Sequence, residues 1–145
     1  MFNRLILSIL LLGTTLFAQQ EVDFQRDMLY KADIDSKTAY SMQQKGTLII
    51  DVRTKREFNT SRAKNSINIP VFYEQKGQRV FNKNFLSQIY LALEKNLNKE
   101  VVLICRSGSR TKLASNLMAY NGFKNVYNIK RGFQYDWTKV KLPIE

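Results

Sequence analysis

The chain carries one thiol, Cys105, and no histidine. No Cys–His dyad, Ser–His–Asp triad, histidine metal site or internal disulfide can be built from such a set. No acidic ligand pattern points to a carboxylate metal site, so neither a metal nor a cofactor is expected. The chemistry that remains centres on Cys105 as a nucleophile. The thiol follows an apolar run, Val101–Ile104, and opens the six-residue segment Cys-Arg-Ser-Gly-Ser-Arg, with a helix pattern directly after it. In open α/β sheets, sites form at the carboxyl ends of strands beside helix N-termini.

Each residue of that segment has a physical use. Successive N–H groups of Arg106, Ser107, Gly108, Ser109 and Arg110 can line an anion cradle, with Gly108 easing the curvature. The helix start adds roughly half a positive charge, and Arg106 and Arg110 add full ones. A thiol in such a field is favoured as thiolate, the nucleophilic form. A buried, inert cysteine at a strand end is the competing reading. Against it stand two arginines crowded at a helix start, where cations are unfavourable unless an anion joins them. A phosphatase-type Cys-x5-Arg loop needs arginine six places after the cysteine, and Thr111 stands there instead. The shorter loop fits one sulfur atom better than a tetrahedral phosphoryl group.

The elements that must position this loop alternate along the chain. Strand-like runs are Thr47–Asp51, Ser66–Ile69, Val101–Ile104 and Asn125–Ile129, short enough and apolar enough for a buried parallel sheet. Helical spacing covers Asn82–Leu97 and Ser109–Asn121, with Gly122 as the stop, and Lys37–Gln44 is a shorter candidate. The alternation predicts a single α/β domain. The chain's 145 residues suit one domain with one working core.

Residues 1–18 have a positive charge (Arg4), an apolar run and a terminal Ala18, the layout of a secretory signal peptide. The apolar run is shorter than the ~20 residues of a membrane span. Export is expected, to the periplasm of a Gram-negative bacterium, with an uncleaved N-terminal anchor as the alternative. Residues 19–32 read as a polar arm or short helix. The formal charge of +11 attracts anions. The basic residues are interleaved rather than clustered, and an exported compartment holds little nucleic acid, so a nucleic-acid partner is not expected.

Three blocks, in order, resemble the rhodanese-like (sulfurtransferase) family. They are DVRTKREFNTSRAKNSINIP from Asp51 to Pro70, the CRSGSR loop, and VYNIKRGFQYDW from Val126 to Trp137 followed by LPIE. The resemblance covers roughly residues 33–145. Ser61-Arg62-Ala63 stands where the family often has Gly-His-Ile, and Arg131-Gly132 replaces a Gly-Gly pair; neither falls within the CRSGSR segment. The resemblance implies a three-layer sandwich with a central, mainly parallel sheet of about five strands and helices on both faces. It also implies a sulfur relay. Cys105 would take a sulfane sulfur from thiosulfate, polysulfide or a similar anion, hold it as a persulfide, and pass it to a thiol or protein acceptor. Arg106 and Arg110, with the loop N–H groups, would bind the anion. Asp51, Arg53 and Glu57 are expected to form a supporting ion-pair network. A non-catalytic sulfur-carrier or sensing domain on the same fold is the alternative function.

Overall fold

The computed structural model describes residues 21–145. The leader expected over residues 1–18 lies outside the described residues, as do the first two residues of the arm.

Five strands make one parallel sheet in the order β1-β7-β6-β2-β3: β1 Ala32–Ile34, β2 Leu48–Asp51, β3 Ile67–Asn68, β6 Val101–Ile104 and β7 Val126–Ile129. Between β3 and β6, strands β4 (Phe72–Gln75) and β5 (Gln78–Phe81) pair only with each other, as an antiparallel hairpin. The helices are α1 Ser36–Gln44, α2 Lys55–Thr60, α3 Phe85–Ala92 and α4 Ser109–Tyr120. A π-helical turn, Phe133–Trp137, closes the fold.

Side chains alternate faces along a strand, and β6 shows the consequence. Val101, Leu103 and Cys105 join the cluster formed with Phe85, Ile89 and Leu93 of the α3 segment and Ala114 and Met118 of α4. Val102 and Ile104 face the other way, among Ala39 of α1, Ile129 and Trp137. The sheet therefore separates two apolar layers, and helices cover both faces. Central position is why β6 is apolar throughout: all four of its residues are buried.

The strands and helices expected from the sequence are present with trimmed ends. Helix α3 is shorter than the Asn82–Leu97 pattern, because the chain turns at Glu94 and Lys95, both with positive φ, and Leu97 stays partly exposed. From residue 21 on, the arm is neither free nor helical. After a turn at 24–26 it lies along α4, held by Asn116. The Asn116 side chain is fully buried; it accepts from the Leu29 N–H at 2.7 Å and donates to the carbonyls of Phe24 at 2.9 Å and Asp27 at 2.7 Å. Phe24 adds an edge-to-face contact with Tyr120. Asn116→Ala would leave three backbone groups without partners. It should cost about 2 kcal/mol in denaturant unfolding and expose the segment before Tyr30 to limited proteolysis.

Candidate active site

The end of β6 delivers Cys105 into its loop fully buried. Two groups touch the sulfur. The Gly108 N–H donates to Sγ at 3.1 Å, and the Thr111 hydroxyl lies 3.4 Å away. The same hydroxyl donates to the Gly108 carbonyl at 2.9 Å. As a thiol, Cys105 can donate to Thr111; as a thiolate, it accepts from Gly108, and it accepts from Thr111 only when that hydroxyl turns its one proton away from the Gly108 carbonyl. Helix α4 begins at Ser109, so its positive end adjoins the sulfur.

Two glycines hold the loop where no other residue fits. Gly108 has φ +96°, and a Cβ there would lie 1.9 Å from the Lys130 carbonyl oxygen. Gly132 has φ +66°, and a Cβ there would lie 2.5 Å from the Cys105 carbonyl oxygen. That close approach lets the next two amides clamp the loop: the Phe133 N–H donates to the Cys105 carbonyl at 2.7 Å and the Gln134 N–H to the Arg106 carbonyl at 3.0 Å. Gly108→Ala should displace the N–H that faces the sulfur. Loss of one such donor typically costs about 10²–10³ in rate, so kcat in a sulfur-transfer assay should fall by at least about 10².

The structure corrects the expected division of labour among the charged residues. Arg110 is buried and does not present a free cation to the loop mouth. Its guanidinium makes a two-pronged pair with Glu57, Nη1 to Oε2 and Nη2 to Oε1, both at 2.7 Å. Glu57 therefore serves Arg110 and not the Asp51–Arg53 pair. Burial pushes the Glu57 carboxyl up, but the hydrogen bonds and charge of Arg110, with the Thr54 N–H, outweigh it and hold the pKa at about 2. Thr54 and Glu57 also form a capping box at the start of α2, each side chain bonding the other's backbone N–H.

Asp51 and Arg53 pair with each other. Arg53 Nε lies 2.9 Å from Asp51 Oδ1 and Nη2 lies 2.6 Å from Oδ2, and the guanidinium also reaches the Ser61 carbonyl at 2.8 Å. It stacks 4.5 Å from the centroid of the Phe133 ring. Burial pushes the Asp51 carboxyl up, and Arg53 offsets only part of that. Arg106 and Ser109 are exposed and Ser107 is half-buried. Arg106 reaches a cleft of about 690 Å³ that also meets Arg53, Glu57, the hairpin and Phe133. The residue that sequence reasoning left unassigned is Thr111. Its signal was its place six residues after the cysteine, where it supplies a hydroxyl instead of an arginine.

A sequence profile described as the rhodanese-like domain matches residues 35–139. The chain belongs to the rhodanese-like domain family. Among curated relatives, the senescence-associated protein DIN1 of Raphanus sativus is 33% identical over 109 residues, covering 75% of this chain and 58% of that protein. The chain thus spans little more than half the length of this relative. Thiosulfate sulfurtransferase 18 of Arabidopsis thaliana is 31% identical over 113 residues, covering 77% of this chain and 81% of that protein. Among solved structures, the crystal structure of Rv0390 from M. tuberculosis superposes with a TM-score of 0.65 at 22% identity, covering 80% of this chain and 98% of that one. At that identity the likeness shows the fold. The rhodanese-like fold here accounts for the placement of Cys105 at the end of the central strand.

Proposed function

We propose that this rhodanese-like chain is a sulfurtransferase that moves a sulfane sulfur through a persulfide on Cys105. The observation that carries the reading is the chain's single thiol, fully buried at the end of β6, with the Gly108 N–H 3.1 Å from its sulfur and a helix start alongside. With no histidine in the chain, activation falls to the Gly108 N–H and the start of α4.

In the first half-reaction the Cys105 thiolate attacks the outer sulfur of thiosulfate. The donor's S–S bond breaks and sulfite leaves with the bonding pair. In the second, a thiophilic acceptor such as cyanide or a thiolate attacks the outer sulfur of the persulfide, and the pair returns to Cys105. The loop N–H groups bind the charge that resides on sulfur throughout. Because Cys105 is fully buried, only a terminal sulfur can enter the loop. A rate of thiocyanate formation from thiosulfate and cyanide that saturates in both substrates tests the reading; a rate equal to the uncatalysed one rejects it. Export belongs to the same proposal and draws its support from residues 1–18 alone; a mature mass starting after Ala18 checks it.

A further inference from the structure

Thr111 lies in the first turn of α4 and is fully buried. Its hydroxyl has one proton to donate. Two acceptors compete for that proton. One is the Gly108 carbonyl oxygen at 2.9 Å, and the other is Cys105 Sγ at 3.4 Å. A bond from a threonine hydroxyl to the backbone three residues back is a common local arrangement.

The Gly108 carbonyl does not depend on that proton. The Lys112 N–H donates to the same oxygen at 3.0 Å, as the first backbone bond of α4. A carbonyl oxygen has two lone pairs, so it stays bonded when the hydroxyl turns away. A buried acceptor left unpaired is what usually holds a hydroxyl in place, and Lys112 removes that cost. The sulfur stands in the opposite position. Among the described residues, the Gly108 N–H is the one backbone donor to Sγ. A negative charge on a fully buried sulfur requires compensation by donors, and the Thr111 hydroxyl is the other polar group in reach.

We infer that Thr111 is a catalytic hydroxyl whose proton follows the charge on Sγ. The inference rests on the sulfurtransferase reading and deepens it. While Cys105 is a thiolate, the hydroxyl points its proton at Sγ. As the thiolate attacks, the pair enters the new S–S bond, and the negative charge of the cysteine passes to the outer sulfur. The hydroxyl then turns back to the Gly108 carbonyl. When an acceptor takes the outer sulfur, the S–S bond breaks, the pair returns to Sγ, and the hydroxyl follows it. The O–H bond itself stays intact throughout. A thiolate that is better stabilised leaves faster but attacks with less intrinsic drive. Thr111 therefore serves the unloading of sulfur from Cys105 more than its loading.

The two half-reactions are measured apart by rapid mixing, loading with thiosulfate and unloading with cyanide. Thr111→Val removes the hydroxyl at nearly constant volume and should slow unloading at least about tenfold more than loading. Thr111→Ser keeps the hydroxyl and should recover most of that difference. A second readout involves no sulfur transfer. The ultraviolet absorbance of the thiolate, taken as the difference from Cys105→Ser, should develop about one pH unit higher in Thr111→Val than in the native protein. Equal slowing of both half-reactions overturns the inference, as does a thiolate absorbance that develops as in the native protein. Thr111→Ala decides by the same two criteria if the valine variant fails to fold. A native protein that does not load sulfur, with a thiolate absorbance that moves in Thr111→Val but not in Thr111→Ser, upholds the hydroxyl at Sγ and rejects the sulfurtransferase reading.

Discussion

Cys105→Ser is expected to abolish sulfur transfer, by at least about 10⁴-fold in kcat, because removing a nucleophile typically costs that much or more. The serine hydroxyl is close in size and can keep both contacts of the sulfur, accepting from the Gly108 N–H and bonding Thr111. A buried hydroxyl that keeps its hydrogen bonds costs little, so stability should stay within about 2 kcal/mol of the native protein. Serine cannot replace the thiol in function. A hydroxyl needs a base to become a nucleophile, and the chain has no histidine to supply one. Parallel measurement of thiocyanate formation and thermal melting separates the two effects. A variant that folds normally and retains more than a hundredth of the native rate would show that Cys105 is not the nucleophile.

Glu57→Ala should be strongly destabilising. It leaves the Arg110 guanidinium, only 8% exposed in its side chain, buried and unpaired. Breaking one side of a buried pair costs about 3–5 kcal/mol; the Thr54 N–H also loses the Glu57 carboxylate, while the Thr54 hydroxyl keeps its bond to the backbone N–H of residue 57. Glu57 is partly open to solvent, so the lower end, about 3 kcal/mol, is the expected figure in denaturant unfolding. Replacing the pair together, Glu57→Leu with Arg110→Met, should recover most of that loss, since apolar pairs of similar volume substitute well for buried ions.

The same pair gives the protein an acid dependence of known sign. Glu57 has a folded pKa of about 2, below the carboxylate's ordinary value. Its contribution is fully present above about pH 4.5 and disappears as pH falls through about 2. The native protein should lose on the order of 2 kcal/mol across that window from this group, and the Glu57→Ala variant should lack that part of the slope.

Much of this was legible in the sequence, for reasons that differ by element. Strand β6 is apolar at every position because the central strand of a parallel sheet is buried on both faces. The cysteine loop was legible because Cys105, Gly108 and the arginines lie within six consecutive residues. Strand β1 was not, since it has three half-buried residues and one neighbour. The hairpin was signalled by Lys76-Gly77, both with positive φ as a primed hairpin turn requires, but its exposed strands show no clean apolar alternation. Helix α2 went unread, although Thr54 and Glu57 stand at the spacing of a capping box.

The Glu57–Arg110 pair could not be read at all. Its members are 53 residues apart, and no periodicity reports a tertiary ion pair. The sequence suggested a free Arg110 because it lies beside the cysteine, whereas the fold delivers a carboxylate to it from α2. Gly132 was legible only as half of a replaced Gly-Gly pair; its contact with the Cys105 carbonyl depends on how the loop after β7 crosses the loop after β6.

The intact mass of the protein after thiosulfate treatment tests the central claim most directly. A covalent gain of one sulfur atom is expected, located to the peptide containing Cys105, removed by cyanide and absent in Cys105→Ser. An unchanged mass in protein that turns over thiosulfate, or a gain that persists in Cys105→Ser, would contradict the persulfide on Cys105.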